Sequence, residues 1–210
     1  MPDPNRAMAV ARALLDAGTV TLRPDDPVTF KSGLRSPVYV DNRRLIFQPA
    51  SWRTIIDAFA AALPSEEVVI AGVESAGIPH SSALAFATAA PSVFVRKAAK
   101  EHGLTRRIEG GDVADRRTIL VEDMVTTGGS SLSAVEALRE AGAQVSDCFA
   151  IITYGFIEAL EAFDSADVRL TTLTTFETVV AEALERGTID QREAQLVRGW
   201  LADPHAWDER

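Results

Sequence analysis

The sequence predicts an α/β domain: a mainly parallel central sheet with flanking helices and a small antiparallel appendage near the N-terminus. Three observations predict it. Short apolar, β-branched runs recur at 67–73 (EVVIAGV), 92–97 (SVFVRK), 117–123 (RTILVED), 144–154 (QVSDCFAIITY) and 168–174 (VRLTTLT). Helical stretches at about 77–89, 130–141 and 156–164 separate or follow the first four. Strands that are apolar throughout and alternate with helices belong to a parallel sheet covered on both faces. Finally, 210 residues, 47% hydrophobic and 24% charged, suit one domain with a full core.

Taken in order, residues 6–17 place Met8, Ala11, Leu14 and Leu15 at helical spacing, and Gly18 is a stop signal. Residues 19–46 combine period-2 stretches with three prolines and a glycine, and read as short antiparallel strands joined by turns. Pro49 and Ser51 open a helix to about Leu63. The five apolar runs then form the sheet, and the stretch between the second and third reads as a loop. Two helices, 175–186 and 190–202, end the chain. The expected organisation is a single domain, 1–210. An N-terminal helix and hood take about 1–48, a core about 66–172, and C-terminal helices about 173–210.

Composition excludes several classes. With 21 Lys plus Arg against 30 Asp plus Glu, the net charge of -9 argues against general binding to nucleic acid or a membrane surface. No apolar run approaches the length of a membrane helix, and the N-terminus lacks the parts of a signal peptide, so a cytoplasmic enzyme is expected. Cys148 stands alone in an apolar strand and reads as core. His80 follows Gly-Ile-Pro at a helix start and reads as structural. Against the acidic background, residues 96–107 hold Arg96, Lys97, Lys100, His102, Arg106 and Arg107, with Glu101 the only acid. A small anionic ligand accounts for that concentration.

Residues 118–143, TILVEDMVTTGGSSLSAVEALREAGA, carry the chemistry. An apolar strand runs into Glu122 and Asp123, then a Thr- and Gly-rich loop, then an amphipathic helix. The carboxyl end of a strand in an open parallel sheet is where ligands bind. Gly128 and Gly129 admit a ligand close to the backbone, and the helix starting near Ser130 offers unpaired N–H groups to a phosphate. Thr126, Thr127 and Ser130 add hydroxyls. The P-loop and dinucleotide spacings are absent. Two acids beside a phosphate seat repel phosphate but accept hydrogen bonds from ribose hydroxyls. A sugar 5-phosphate with free 2- and 3-hydroxyls satisfies both halves.

The segment ILVEDMVTTGGSS resembles the phosphoribosyl pyrophosphate (PRPP) signature of type I phosphoribosyltransferases. FKSGLRSPVYVD (30–41), AGVESAGIPHSSALA (71–85), VFVRKAAKEHG (93–103) and the ending RGWLADPHAW are similar to the orotate phosphoribosyltransferase family. The resemblance implies a type I phosphoribosyltransferase fold and transfer of phosphoribose from PRPP to orotate, giving orotidine 5′-monophosphate in pyrimidine biosynthesis. It implies that Arg96, Lys97, Lys100 and His102 stabilise departing pyrophosphate together with Mg²⁺, which PRPP and water hold rather than direct protein ligands. It further implies a homodimer in which the basic loop of one subunit covers its partner's site. Lys31 matches the hood lysine that reaches PRPP. Tyr39 and Val40 frame the orotate ring, and Thr126 touches both acceptor and ribose phosphate. Glu122, Asp123, Met124, Val125, Thr126, Thr127, Gly128, Gly129 and Ser130 bind PRPP, with Glu74, Ser75, Ala76 and Gly77 as the pyrophosphate loop. For Arg106 and Arg107 a solvated loop face stands beside pyrophosphate contact. The sequence departs from the family pattern at three places. Glu74 and Ser75 stand near a lysine of some members, Tyr39-Val40 replaces two aromatics, and no arginine follows Tyr154. A PRPP-sensing regulator on the same fold and a purine-accepting transferase are the rival readings. The acidic surface disfavours the first, and the Lys-Ser-Gly…Ser-Pro hood disfavours the second.

Overall fold

A computed structural model describes residues 3–29, 35–98 and 107–204. Lys31, Lys100, His102 and Arg106 lie outside the described residues. Helix α1 (Pro4–Asp16) starts on Asp3, whose carboxylate accepts from the Asn5 N–H at 2.9 Å, and has proline in its first turn. Strand β1 (Val20–Leu22) pairs antiparallel with β4 (Val38–Val40), and β2 (Val28–Thr29) with β3 (Arg35–Ser36). These two ribbons are the expected hood.

The end of that segment differs from the expectation of strand. Asn42–Phe47 winds into a 3₁₀ helix with Asn42 and Leu45 buried. The cause is tertiary: Asn42 Nδ2 donates to the Asp123 carbonyl at 2.9 Å, a bond across 81 residues that local periodicity cannot register. Helix α2 (Pro49–Ala60) follows.

The core alternates β5 (Val69–Val73), α3 (Gly77–Thr88), β6 (Ser92–Val95), β7 (Ile108–Glu109), β8 (Arg117–Val125), α4 (Gly129–Glu140), β9 (Gln144–Thr153), α5 (Ile157–Ser165) and β10 (Arg169–Thr172). Sheet order is β10-β9-β8-β5-β6-β7, and every pairing is parallel except β6 with β7. Alternate residues serve opposite faces. Ile70, Ile119, Val121, Phe149 and Ile151 join the core shared with α1, α2 and the C-terminal helices, whereas Val69, Ala71, Leu120, Cys148 and Ala150 join the core under α4 and α5. Burial on both faces is why these strands read as unbroken apolar runs. Strand β7 corrects the reading of residues 98–116 as loop alone. Its two residues, Ile108 opposite Val95 and Glu109 opposite Phe94, are too few to show a period.

Helices α6 (Phe176–Glu185) and α7 (Gln191–Ala202) close the first core. Trp200 of α7 is fully buried, edge-on to Tyr154 and Phe156 at 5.3 and 5.6 Å, and its indole N–H donates to the Arg35 carbonyl at 2.8 Å. One side chain thus ties the chain end to the hood. No helix among the described residues is long and apolar enough to cross a membrane. Trp200→Ala removes a fully packed aromatic and orphans a carbonyl, so it should cost about 3–5 kcal/mol in urea unfolding. A loss under about 1 kcal/mol would show that α7 does not clamp the hood.

Candidate active site

Because β5, β6 and β8 are parallel neighbours, their carboxyl ends, Val73, Val95 and Val125, finish at one edge of the sheet. The segments leaving them converge there with the end of hood strand β4. Between them lies a cavity of about 290 Å³ lined by Val40, Asp41, Arg43, Glu74, Ser75, Ala76, Lys97, Glu122, Asp123, Met124 and Ser130. Helix α4 opens on this edge. Its cap, Gly128, has φ +85°, and a Cβ there would sit 2.8 Å from Phe163 Cε2, so both backbone and packing demand glycine. No side chain caps α4, which leaves its first N–H groups facing the loop as a ready anion seat. On the other side of β8, a Cβ on Gly77 would lie 2.7 Å from the Val121 carbonyl oxygen and 3.3 Å from Glu122 Oε1. That close approach seats the start of α3 directly on the strand end.

Of the residues expected from sequence, the cavity wall includes Val40, Glu74, Ser75, Ala76, Lys97, Glu122, Asp123, Met124 and Ser130. It does not include Tyr39, Gly77, Arg96, Val125, Thr126, Thr127, Gly128 or Gly129. Tyr39 is exposed on the hood. Val125 points into the core under α4, and its carbonyl accepts from Thr153 Oγ1 at 2.8 Å. Arg96 and Lys97 line a neighbouring cavity of about 250 Å³ with Arg107, Ser130 and Ser133. Glu74, in the loop after β5, uses Oε2 to accept the Lys97 backbone N–H at 2.8 Å, joining that loop to the root of the basic stretch.

Sequence reading missed Asp41 and Arg43, which follow the hood strand and enter the cavity wall; an adjacent acid and cation at a strand end was the available signal. Arg107 takes a role outside both readings made of it. Its Nε donates to the Arg96 carbonyl at 2.9 Å, and its Nη1 to Ser133 O and Oγ at 3.0 and 3.1 Å. The Arg96 N–H in turn donates to the Arg107 carbonyl at 2.8 Å. The base of the basic stretch is therefore pinned to β7 and α4. His80 is buried and accepts from the Trp52 indole N–H at 3.0 Å, and burial lowers its pKa to about 4. Tyr154 stacks between Phe156 and Phe176 at 5.2 and 4.9 Å.

Glu122 is only 5% exposed. Burial first, and then the charge of Asp123, pushes its pKa up to about 9. Asp123 is also raised, by burial. Ser131 Oγ donates to Glu122 Oε2 at 3.4 Å, and the Asp123 N–H to Oε1 at 3.2 Å. The pair therefore retains a proton that the unfolded chain releases above the ordinary carboxylate range. A folded pKa raised in this way stabilises at low pH and loses that contribution as pH rises toward 9. His80 works oppositely, with a contribution that rises with pH through the unfolded pKa of about 6.5 and levels off above about pH 7. Stability should accordingly fall between about pH 7 and 8.5, by at most about 1.4 kcal/mol per pH unit. Glu122→Gln should flatten that slope in thermal scans across the window; an unchanged slope would show that Glu122 is ionised at pH 7.

A match to the phosphoribosyl transferase domain family spans residues 48–182. The orotate phosphoribosyltransferase of Coxiella burnetii is 37% identical over 206 residues, covering 97% of this chain and 99% of that one. Among solved structures, orotate phosphoribosyltransferase from Aeropyrum pernix superposes with a TM-score of 0.71 at 28% identity, over 86% of this chain and 99% of the other. The Mycobacterium tuberculosis orotate phosphoribosyltransferase in complex with PRPP gives 0.65 at 25% identity, over 82% and 98%. With its acids at the end of β8, its glycine-capped α4 and these relatives, the chain belongs to the orotate phosphoribosyltransferase family, on a type I phosphoribosyltransferase fold.

Proposed function

We propose that this protein transfers the 5-phosphoribosyl group from PRPP to orotate, forming orotidine 5′-monophosphate and pyrophosphate in pyrimidine biosynthesis. The observation that carries this reading is a single cavity edge joining an uncapped helix N-terminus to two strand-end acids, the Glu74–Ala76 loop and the hood. The 5-phosphate takes the α4 N–H groups with Thr126, Thr127 and Ser130, and the ribose hydroxyls bond to Asp123 and Glu122. The diphosphate lies toward Glu74–Gly77, Arg96 and Lys97, with Lys31, Lys100 and His102 added from outside the described residues. The bond from the anomeric carbon to the diphosphate oxygen breaks with its electron pair on the diphosphate. Orotate nitrogen forms the new bond and gives up its proton to the departing diphosphate or to water. Cations already placed at the leaving oxygens favour the transition state over the bound substrate.

Mg²⁺ would take diphosphate oxygens and water as its ligands at this edge, while the wall acids Asp41 and Glu74 stay with their protein partners, Arg43 and the Lys97 N–H. Its contribution is to neutralise charge on the diphosphate. Among the described residues, no group of three His, Cys, Asp or Glu side chains is placed to hold a metal alone. We further propose a cytoplasmic homodimer. Phe86 on α3 and Phe47 are 92% and 85% exposed, apolar surface that a second copy would cover.

Steady-state assays with PRPP, with and without Mg²⁺, offering orotate, uracil, adenine and hypoxanthine in turn, test the reading. Turnover is expected with orotate and Mg²⁺; turnover of a purine instead would overturn the acceptor assignment. Asp123→Asn should weaken PRPP binding about tenfold or more by calorimetry, since a charged hydrogen bond is lost, while orotate binding holds. The variant should not lose stability, because one of two crowded acids is gone; unchanged PRPP affinity would remove Asp123 from the site. For the shared loop, Lys100→Ala should lower kcat about a hundredfold or more. Mixing the impaired Lys100→Ala and Asp123→Asn chains should then regenerate one intact site per heterodimer and raise turnover above that of either variant alone. Recovery of nothing would mean that loop and pocket come from the same chain.

A further inference from the structure

We propose that Arg43 receives the carboxylate of the acceptor and so selects orotate over bases without one; the proposal rests on orotate being the acceptor. A carboxylate leaving water for a cavity needs a cation, and a guanidinium fork meets it with two parallel N–H donors. Among the described residues of the cavity wall, the cations are Arg43 and Lys97. They sit on different sides. Lys97 is held at its backbone N–H by Glu74, on the loop after β5. Arg43 follows Val40 at the end of hood strand β4 and stands within the electrostatic reach of both Tyr39 and Asp123. It thus lies between the hood and the acid that takes the ribose, which is where a base must lie to reach the anomeric carbon.

Its orientation also fits. Nε donates to Asp41 Oδ1 at 2.6 Å, which fixes one edge of the guanidinium. Nη1 and Nη2 make no hydrogen bond among the described residues, and the side chain is 66% exposed. Asp41 takes the Nε edge of a guanidinium that lines the cavity and leaves its two-donor edge without a hydrogen bond among the described residues. The run after Tyr154 offers nothing comparable, because Tyr154 and Phe156 are committed to the aromatic stack with Phe176 and Trp200. An exposed Arg–Asp pair contributes little to stability, so a purely structural Arg43 would be silent on ligand binding.

The test compares wild type, Arg43→Ala and Arg43→Lys by calorimetry with orotate and with PRPP, and by the reverse reaction with orotidine 5′-monophosphate against uridine 5′-monophosphate. Arg43→Ala should weaken orotate about tenfold or more while PRPP affinity stays within about twofold. Its preference for the carboxylated nucleotide should fall by the same factor. Arg43→Lys, keeping charge but not the fork, should fall between. Thermal midpoints should be unchanged. If wild type binds orotate and Arg43→Ala binds it equally well, the proposal fails and the acceptor reading stands. An equal loss for PRPP would move Arg43 to the diphosphate and overturn the proposal too. Failure of wild type to use orotate would overturn both.

Discussion

The site depends on the parallel pairing of β8 with β5 on one side and β9 on the other. That register pairs Gly72 with Val121, so β5 ends beside Glu122 while β8 runs on to Val125, and the starts of α3 and α4 flank Glu122. The glycines are consequences of that proximity. Gly77 exists because α3 rests on the β8 backbone, and Gly128 because α5 reaches the loop with Phe163. A surface loop could not keep Glu122 at 5% exposure; the sheet does it by holding Glu122 on β8, paired with Ala150 of β9.

Burial of two adjacent acids is costly, and the protein meets the cost by retaining a proton on the pair rather than by pairing each acid with a cation. This leaves the edge responsive to a ligand. A ribose that donates hydroxyl hydrogens stabilises the ionised form, and a cation brought with a diphosphate does the same at longer range. The cations of the cavity wall have bonds of their own: Arg43 Nε donates to Asp41, and the Lys97 backbone N–H donates to Glu74. Glu74 acts here through its hydrogen bond to the Lys97 backbone N–H.

Hood and basic stretch are attached differently. The hood is fastened from three directions, by Asn42 to the Asp123 carbonyl, by Trp200 to the Arg35 carbonyl, and by Arg44 to the Gly18 carbonyl at 2.7 Å. Among the described residues, the basic stretch is fastened at its root, where Arg96 and Arg107 exchange backbone and side-chain bonds beside β7.

The alternation of apolar runs with helical stretches was legible because strands buried on both faces must be apolar throughout. The E-D-M-V-T-T-G-G-S-S segment was legible because ligand, turn and helix start are all encoded within ten consecutive residues. Strand β7 and the 3₁₀ helix at Asn42–Phe47 were not, since one is two residues long and the other is held by a distant carbonyl. Arg107 looked like a loop cation until α4 was folded beside it. Arg43 was passed over for the same reason: an arginine after a strand has no meaning until the sheet edge it faces is in place. By itself the sequence determined the α/β pattern, the phosphate-seating motif and the family, all written in local order. Only the tertiary structure decided which cations face the cavity and which acids hold a proton, because burial and charge proximity are set by residues far apart in the chain.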